Sequence, residues 1–281
     1  MENNLLQLKR KVIGRLVFTF FFLSLSFRFL IHATPSQFLE PVLFQLNFDF
    51  TYWLFKLSGL SYAIIENRIG SILFDFLILT SGFLCILFPS KKMICILFGC
   101  LFFVYAIAYN TYIVHHAHPL AIMTLISIPF YFRNTQIWNF LWESIRCYVC
   151  YLYTISFIWK LFVGKSLLFW NMGVNSVKLN LVEYIYDFPN ANLTILYNYL
   201  IANPVILNSG TIFIFLLEGF MMIGFFTKKF DYILLFIPII IHTATYFFAD
   251  VFFMDMLIGV FTFLSTNQIL KIKSAFPFIA K

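Results

Sequence analysis

The chain has 281 residues, of which 62% are hydrophobic and 11% are charged, and its mean hydropathy is +0.89. Soluble domains carry roughly 25% charged residues, so this composition excludes a soluble globular protein and predicts an all-α, polytopic transmembrane helix bundle. The net charge of +7 does not indicate a nucleic-acid partner, because the basic residues fall in short clusters beside apolar runs, as the positive-inside rule describes.

The first predicted span follows a basic N-terminal segment. Its four basic residues are Lys9, Arg10, Lys11 and Arg15. The apolar run from Val17 to Ile31 comes next, an order of charge and hydrophobicity that resembles a signal peptide. Arg28 interrupts the run and no convincing small-residue cleavage site follows it. We therefore predict a retained first helix whose N-terminus is cytoplasmic.

Seven further apolar runs bring the predicted number of spans to about eight. They are residues 69–88, 93–114, 119–132, 145–164, 211–226, 232–247 and 251–266. With both termini cytoplasmic, thirteen of the nineteen Lys and Arg residues fall in cytoplasmic segments and four in outer segments, while two lie inside helices. This asymmetry is the one that the positive-inside rule predicts. The chain is predicted to be a single transmembrane domain, residues 1–281.

Two longer segments between the runs are predicted to form short helices at the outer face. Residues 33–68 are too polar to cross the membrane cleanly, although Phe50 to Ile65 has the character of an amphipathic interfacial helix. Residues 165–208 form the largest outer segment, and their apolar content indicates short helices lying over the bundle.

The five cysteines favour packing roles. Cys147 and Cys150 have the spacing of a redox motif, but no strand precedes them and they fall on the predicted cytoplasmic half of a helix. We therefore predict reduced thiols rather than a redox pair. No Cys/His group has the spacing of a zinc site, so no metal is predicted.

Ionisable residues inside the apolar runs are the candidate functional residues. Each costs about 2.5–3.5 kcal/mol at the centre of a helix on insertion scales, so such residues persist where they face a cavity, a partner or a substrate. Lys160, His242 and His116 are the predicted catalytic residues. The predicted supporting residues are His118, Glu218, Asp250, Asp255, Asp75 and Arg28. All of them fall at the midplane or in the outer half of the predicted bundle, which predicts a shared outer chamber.

Each of these residues has a structural alternative. Arg28 and Lys160 can extend their charged ends to the outer headgroups. The histidines of residues 115–118 can belong to a solvated loop, and His242 can donate to a backbone carbonyl. Glu218 can form a purely structural ion pair with Lys160, because opposite charges in a low dielectric need each other.

The chemistry of the set favours proton transfer. A desolvated Lys can act as a base, a role for Lys160, and His242 can shuttle protons. His116 can hydrogen-bond an anionic or phenolic oxygen. An apolar pocket at this depth suits a lipid-soluble substrate such as a quinol, or an apolar peptide. The sequence contains no nucleophile elbow, phosphate loop or HExxH motif that would indicate hydrolysis or nucleotide chemistry.

Three segments carry a resemblance to a known family. They are HHAHPLAIMTLISIPFYFRN (115–134), YLYTISFIWKLFVGKSLLFW (151–170) and LLEGFMMIGFFTKKFDYILLFIPIIIHTATYFFADVFFMDML (216–257). In order and spacing they resemble the vitamin K-dependent gamma-carboxylase family, part of the horizontally transferred transmembrane (HTTM) superfamily. The resemblance implies that Lys160 is the base that deprotonates a reduced, quinol-like cofactor. It also implies that His242 and His116 are functional histidines, with His118 as a substitute for His116.

Two departures separate the chain from the carboxylases. Trp159 stands where those enzymes often have a second Lys, and the large lumenal substrate domain is absent. The leading hypothesis is thus an HTTM-type membrane enzyme or enzyme-like protein rather than a glutamate carboxylase. A membrane accessory protein for the maturation or export of a secreted peptide, similar to SdpB-like proteins, is the alternative, and a transporter ranks last.

The expected location is the inner membrane of a bacterium. The high Phe, Ile, Asn and Lys content is typical of an AT-rich bacterial genome, so the proposed site is expected to face the periplasm or the exterior. The lipid bilayer is the predicted partner, together with a secreted peptide or a lipid-soluble small molecule.

Overall fold

A computed structural model describes residues 2–38, 50–112, 118–162, 172–249 and 254–276. These residues form helices, and no strand occurs among them, which confirms the all-α prediction. Five helical segments of this described part are long and apolar enough to cross a membrane. They are Asn3–Gln37, Arg68–Leu87, Lys92–Thr111, Pro204–Phe225 and Asp231–Ala249. The count of eight spans and the cytoplasmic termini stay predictions.

The chain divides into two compact units. Unit 1 contains Met1–Glu143 and Thr266–Lys281, and unit 2 contains Ser144–Ser265. The boundary falls inside one long helix, Thr135–Phe162, which is longer than the predicted run 145–164 because it begins ten residues earlier. Asn134 starts this helix, since its side-chain oxygen accepts from the backbone N–H groups of Gln136 (2.8 Å) and Ile137 (3.2 Å).

The described residues of unit 1 form helices of very different length, from 8 residues in α2 to 29 in α1. Its helices are α1 (Glu2–Leu30), α2 (Phe50–Leu57), α3 (Arg68–Leu87), α4 (Lys92–Tyr112), α5 (His118–Ser127), the start of α6 (Thr135–Phe162), and, near the C-terminus, α12 (Thr266–Ala275). Pro35–Gln37 and Ile128–Tyr131 are 3₁₀ turns, and Tyr62–Glu66 is a π-helical turn. The predicted helix from Phe50 to Ile65 is interrupted after Leu57. Gly59 adopts a φ of +75° there, a conformation that glycine tolerates without strain.

An aromatic cluster forms the centre of unit 1. Phe18 and Phe21 of α1 meet Phe98 and Phe102 of α4, and Phe130 packs against Phe18 with ring centroids 5.2 Å apart. Most of these ring pairs meet edge to face, an arrangement that contributes beyond the burial of area. All five rings are at most 1% exposed, so the cluster fixes α1 against α4 and the turn after α5.

Unit 2 contains the rest of α6 and five more helices. They are α7 (Met172–Asn180), α8 (Val182–Asp187), α9 (Asn192–Ala202), α10 (Pro204–Phe220) and α11 (Asp231–Ala249). Two 3₁₀ segments follow α10 and α11, at Met221–Phe225 and Met254–Phe263. The short helices predicted within 165–208 are therefore present as α7, α8 and α9. α10 begins at Pro204 rather than at residue 211, because proline is favoured in the first helical turn.

A small apolar core holds α7, α9 and α10 together. Val174, Val177, Tyr197 and Leu207 are buried in it. Asn208 of α10 reaches the start of α7, where its side-chain oxygen accepts from the backbone N–H of Gly173 at 3.0 Å and of Val174 at 3.3 Å. This contact satisfies two N–H groups that a helix start otherwise leaves without partners.

Candidate functional site

One face of α6 carries the polar side chains of the candidate site. Tyr153, Ser156 and Lys160 stand at positions i, i+3 and i+7, so they share a side of the helix. Tyr153 is 4% exposed, whereas Lys160 and Ser156 are half-buried. The site therefore follows two turns of α6 within unit 2.

Lys160 forms an ion pair with Glu218 of α10. The ammonium nitrogen of Lys160 donates to both carboxylate oxygens, at 2.6 and 2.8 Å, and the hydroxyl of Ser156 makes a longer contact of 3.5 Å. The Glu218 side chain is 5% exposed and the Lys160 side chain is 28% exposed. Short contacts to both oxygens make this a charge-assisted pair rather than a loose surface contact.

A glycine next to Glu218 allows α10 to approach α6. A Cβ atom on Gly219 would lie 3.0 Å from a ring carbon of Phe157, closer than side chains normally pack. Phe215, one turn before Gly219, lies beneath the Lys160 ammonium at 5.0 Å from its ring centroid. This cation–π distance adds an attraction for the charged end of Lys160. The carboxylate and the aromatic ring together hold the amine in position.

His242 of α11 contacts the same face of α6. Its Nε2 atom shares a hydrogen bond of 2.7 Å with the hydroxyl of Tyr153, and both side chains are buried. His242 belongs to the buried face of α11, together with Leu234, Ile237 and Ile241. Packing of this buried face of α11 thus holds the imidazole against α6.

The two polar pairs lie along one face of α6. Tyr153 and Lys160 are seven residues apart, about 10 Å along the helix. Three helices, α6, α10 and α11, therefore contribute to one cluster of an amine, a carboxylate, an imidazole and a phenol. This combination can hold and transfer protons, because each group can donate or accept one.

A second ion pair lies further along the same face of α6. The guanidinium of Arg146 pairs with Asp231, and it also donates to the carbonyls of Gly224 (2.7 Å) and Thr227 (3.2 Å). Arg146 is 4% exposed, although the sequence placed it among the cytoplasmic basic residues. It precedes Tyr153 by seven residues, about 10 Å along the helix. Arg146 and Asp231 therefore fix α6 to the start of α11 below the candidate site.

A second glycine permits this contact. A Cβ atom on Gly224 would lie 2.4 Å from the sulfur of Cys150, which shows how closely the segment after α10 approaches α6.

Cys150 is buried and Cys147 is exposed, and all five cysteines are free thiols. No group of three His, Cys, Asp or Glu side chains suited to a metal ion was found in the described part of the chain.

Two predicted supporting residues, Asp75 and Arg28, belong to unit 1, whereas the Lys160 cluster belongs to unit 2. Asp75 accepts from the backbone N–H of Ser36 at 3.1 Å and from its hydroxyl. Arg28 is 5% exposed, and its guanidinium carbon lies 4.3 Å from the ring centroid of Tyr109. Arg28 is therefore buried within unit 1.

The remaining predicted residues are described only in part. His116 and Asp250 lie outside the described residues. His118 begins α5, and its side chain lies outside the described part of the structure. Asp255 is 3% exposed in the 3₁₀ segment that follows α11 in unit 2. Lys160, His242 and Glu218 are thus the predicted residues that the structure brings together.

Sequence analysis missed Tyr153 and Ser156. Tyrosines are frequent in this chain, with 15 residues, so one more in an apolar run carries no signal by itself. The usable signal is their spacing from Lys160, which places all three on one helical face.

An apolar groove lies on α9 and α11 in unit 2. It has a volume of about 500 Å³ and is lined by residues of α9 and α11, among them Leu196, Ile240, Thr243 and Phe247. Thr243 directly follows His242 in the chain. A groove of this size and apolar character can accept the hydrocarbon part of a lipid-soluble ligand.

Comparison with known proteins gives no relative from which to carry over a function. No family model, curated protein or solved structure matches the chain.

Proposed function

We propose that this protein is an HTTM-type membrane enzyme that removes a proton from a lipid-soluble, quinol-like substrate, with Lys160 as the base. The observation that supports the proposal is the contact between Lys160 and Glu218 beside the hydrogen-bonded pair of Tyr153 and His242. A half-buried amine with a buried carboxylate partner and an imidazole in the same cluster has the components of a proton-transfer site.

The proton path follows from the contacts. Burial penalises both charges of an ion pair, so transfer of a proton from the Lys160 ammonium to the Glu218 carboxylate leaves a neutral amine and a neutral acid. The neutral amine then takes the proton of the substrate hydroxyl and becomes an ammonium again. His242, fixed by Tyr153, stabilises the oxyanion that remains or carries the proton onward.

The substrate class follows from the surroundings of the cluster. The three helices that carry it are rich in exposed aromatic and aliphatic residues, such as Phe162 at 77% exposure. The groove on α9 and α11 of the same unit adds an apolar surface for a hydrocarbon tail. A ligand with an acidic hydroxyl on an apolar body matches both features.

Oxygen uptake tests this function directly. A deprotonated quinol reacts with oxygen faster than the neutral quinol, and the products are quinone and hydrogen peroxide. Proteoliposomes supplied with menadiol are expected to consume oxygen faster than protein-free liposomes. Lys160→Met should abolish the acceleration, and Lys178→Met, which removes an exposed lysine of α7 in the same unit, should preserve it. Equal rates for both variants and the unaltered protein would contradict the proposal.

The accessory-protein alternative predicts a different use of the apolar groove. In that case the groove lined by Leu196, Ile240 and Phe247 would hold an apolar peptide segment. A groove variant such as Ile240→Asn would impair peptide maturation in that case, while Lys160→Met would leave it intact. The enzyme proposal expects Lys160→Met to be the more damaging change.

A further inference from the structure

We propose that a polar pocket in unit 1, where α1 and α6 begin, binds the phosphate headgroup of an anionic phospholipid. The pocket has a volume of about 420 Å³ and a mostly polar surface. Its lining residues are Asn3, Gln7, Arg133, Asn134, Thr135 and Gln136. Pockets of this size hold small organic groups, and a glycerophosphate headgroup is one.

A polar stripe on α1 forms one wall. Asn3, Gln7 and Arg10 stand at positions i, i+4 and i+7, so they follow one face of α1. Asn3 is tied to the opposite wall, because the hydroxyl of Thr135 donates to its side-chain oxygen at 2.8 Å. Gln7 and Arg133, both exposed, present an amide and a guanidinium, which are donors that suit a phosphate.

A buried cation lies behind this wall. Arg10 is 6% exposed, and its guanidinium donates to the carbonyls of Arg133 at 2.9 Å and Phe130 at 3.5 Å. Its Nε atom is buried without an acceptor among the described residues. The ion pairs found among the described residues do not include Arg10, and the acceptors of its guanidinium are two neutral backbone carbonyls. An anion in the adjoining pocket would compensate the charge of Arg10 as well as that of Arg133.

The position of the pocket favours a lipid over a free ion. It lies at the end of Asn3–Gln37, a helical segment apolar enough to cross a membrane. The turn after α3 approaches the N-terminal half of α1, since Arg15 donates to the carbonyl of Ile86 at 3.4 Å. Lys91 lies in that turn and Lys92 begins α4. Basic pockets between membrane helices bind anionic lipid headgroups.

Lipid binding by native mass spectrometry tests the assignment. The purified full chain in detergent is titrated with dioctanoyl phosphatidylglycerol, with dioctanoyl phosphatidylcholine, and with sodium phosphate as a competitor. One phosphatidylglycerol is expected to bind at lower concentration than phosphatidylcholine, and sodium phosphate at the same concentration should not displace it. Loss of the Arg133 charge in Arg133→Gln should weaken phosphatidylglycerol binding roughly five-fold, as expected for one basic residue at a membrane surface.

The matched control is Arg68→Gln. Arg68 is an exposed basic residue that begins α3, and it precedes Ile86 by eighteen residues, about 27 Å along the helix from the pocket's end of unit 1. This variant should bind phosphatidylglycerol as the unaltered chain does. Equal affinity for the two lipids, displacement by sodium phosphate, or equal losses in Arg133→Gln and Arg68→Gln would each overturn the proposal.

A second variant keeps the test decisive if Arg133→Gln is not recovered folded. Gln7→Glu introduces a carboxylate into the exposed wall of the pocket and leaves both arginines in place. Repulsion between this carboxylate and the lipid phosphate is expected to weaken phosphatidylglycerol binding and to leave phosphatidylcholine binding unchanged. Unchanged phosphatidylglycerol binding by Gln7→Glu would overturn the proposal.

Discussion

The two partners of the Lys160–Glu218 pair are expected to respond unequally to substitution. Lys160→Met leaves the Glu218 carboxylate, whose side chain is 5% exposed, without its cation. Removing one partner of a buried pair costs about 3–5 kcal/mol, and this variant should fall in that range. Glu218→Gln instead leaves the lysine, which is 28% exposed and can still donate to the glutamine oxygen. The expected cost is the smaller one of a charged hydrogen bond, about 1.5–3 kcal/mol.

The double variant isolates the interaction energy between Lys160 and Glu218. Lys160→Met combined with Glu218→Gln contains no unpaired charge, so its loss of stability should be smaller than the sum of the single losses by at least about 1 kcal/mol. Unfolding of each variant by SDS titration in mixed micelles, followed by circular dichroism, measures these free energies. Additive losses, or a loss below about 0.5 kcal/mol in Lys160→Met, would refute the ion pair.

Three further substitutions test the contacts around the cluster. Tyr153→Phe removes the hydroxyl that contacts His242, and it should lower the free energy of unfolding by about 1–3 kcal/mol in the same titration. It should also lower menadiol-dependent oxygen uptake. Unchanged stability and uptake would contradict the contact. Arg146→Gln should lower the free energy of unfolding by about 3–5 kcal/mol, because it leaves Asp231 and two carbonyls without their donor. The yield of folded protein in detergent should fall as well. A normal yield would argue against burial of the arginine. Gly219→Val should push α10 away from α6 and lower the free energy of unfolding by about 1–3 kcal/mol. Wild-type stability would contradict this close approach.

The sequence predicted the helical elements better than their boundaries. Five of the eight predicted runs coincide with helical segments long and apolar enough to cross a membrane, because the hydrocarbon layer requires such runs. α6 was expected to begin at residue 145, since the preceding residues include Gln136, Asn139 and Glu143. Trp138 and Trp142 nevertheless pack inside unit 1, at most 1% exposed, and extend the helix backwards. Packing of this kind cannot be deduced from hydropathy alone.

The candidate site was also predicted only in part, because sequence pattern identifies charged residues but not their distant partners. Charges inside apolar runs identified Lys160, Glu218 and His242, and the pairing of the first two was among the alternatives that the sequence left open. The ion pair of Arg146 was not predicted, because the positive-inside rule counts charge without regard to partners. Its partner Asp231 is 85 residues away, a separation at which sequence pattern gives no indication of contact.

The distance between Lys160 and Glu218 inside a bilayer tests the central claim most directly. Solid-state NMR of protein labelled with ¹⁵N at the lysine amines and ¹³C at the glutamate carboxyls reports such distances through dipolar dephasing. Lys56–Glu66 at 3.1 Å and Lys9–Glu143 at 3.9 Å also contribute signal, so the Lys160→Met spectrum is subtracted. Contacts of 2.6 and 2.8 Å predict a strongly dephased lysine signal that is lost in Lys160→Met. A Lys160 signal without glutamate dephasing would contradict the proposed site.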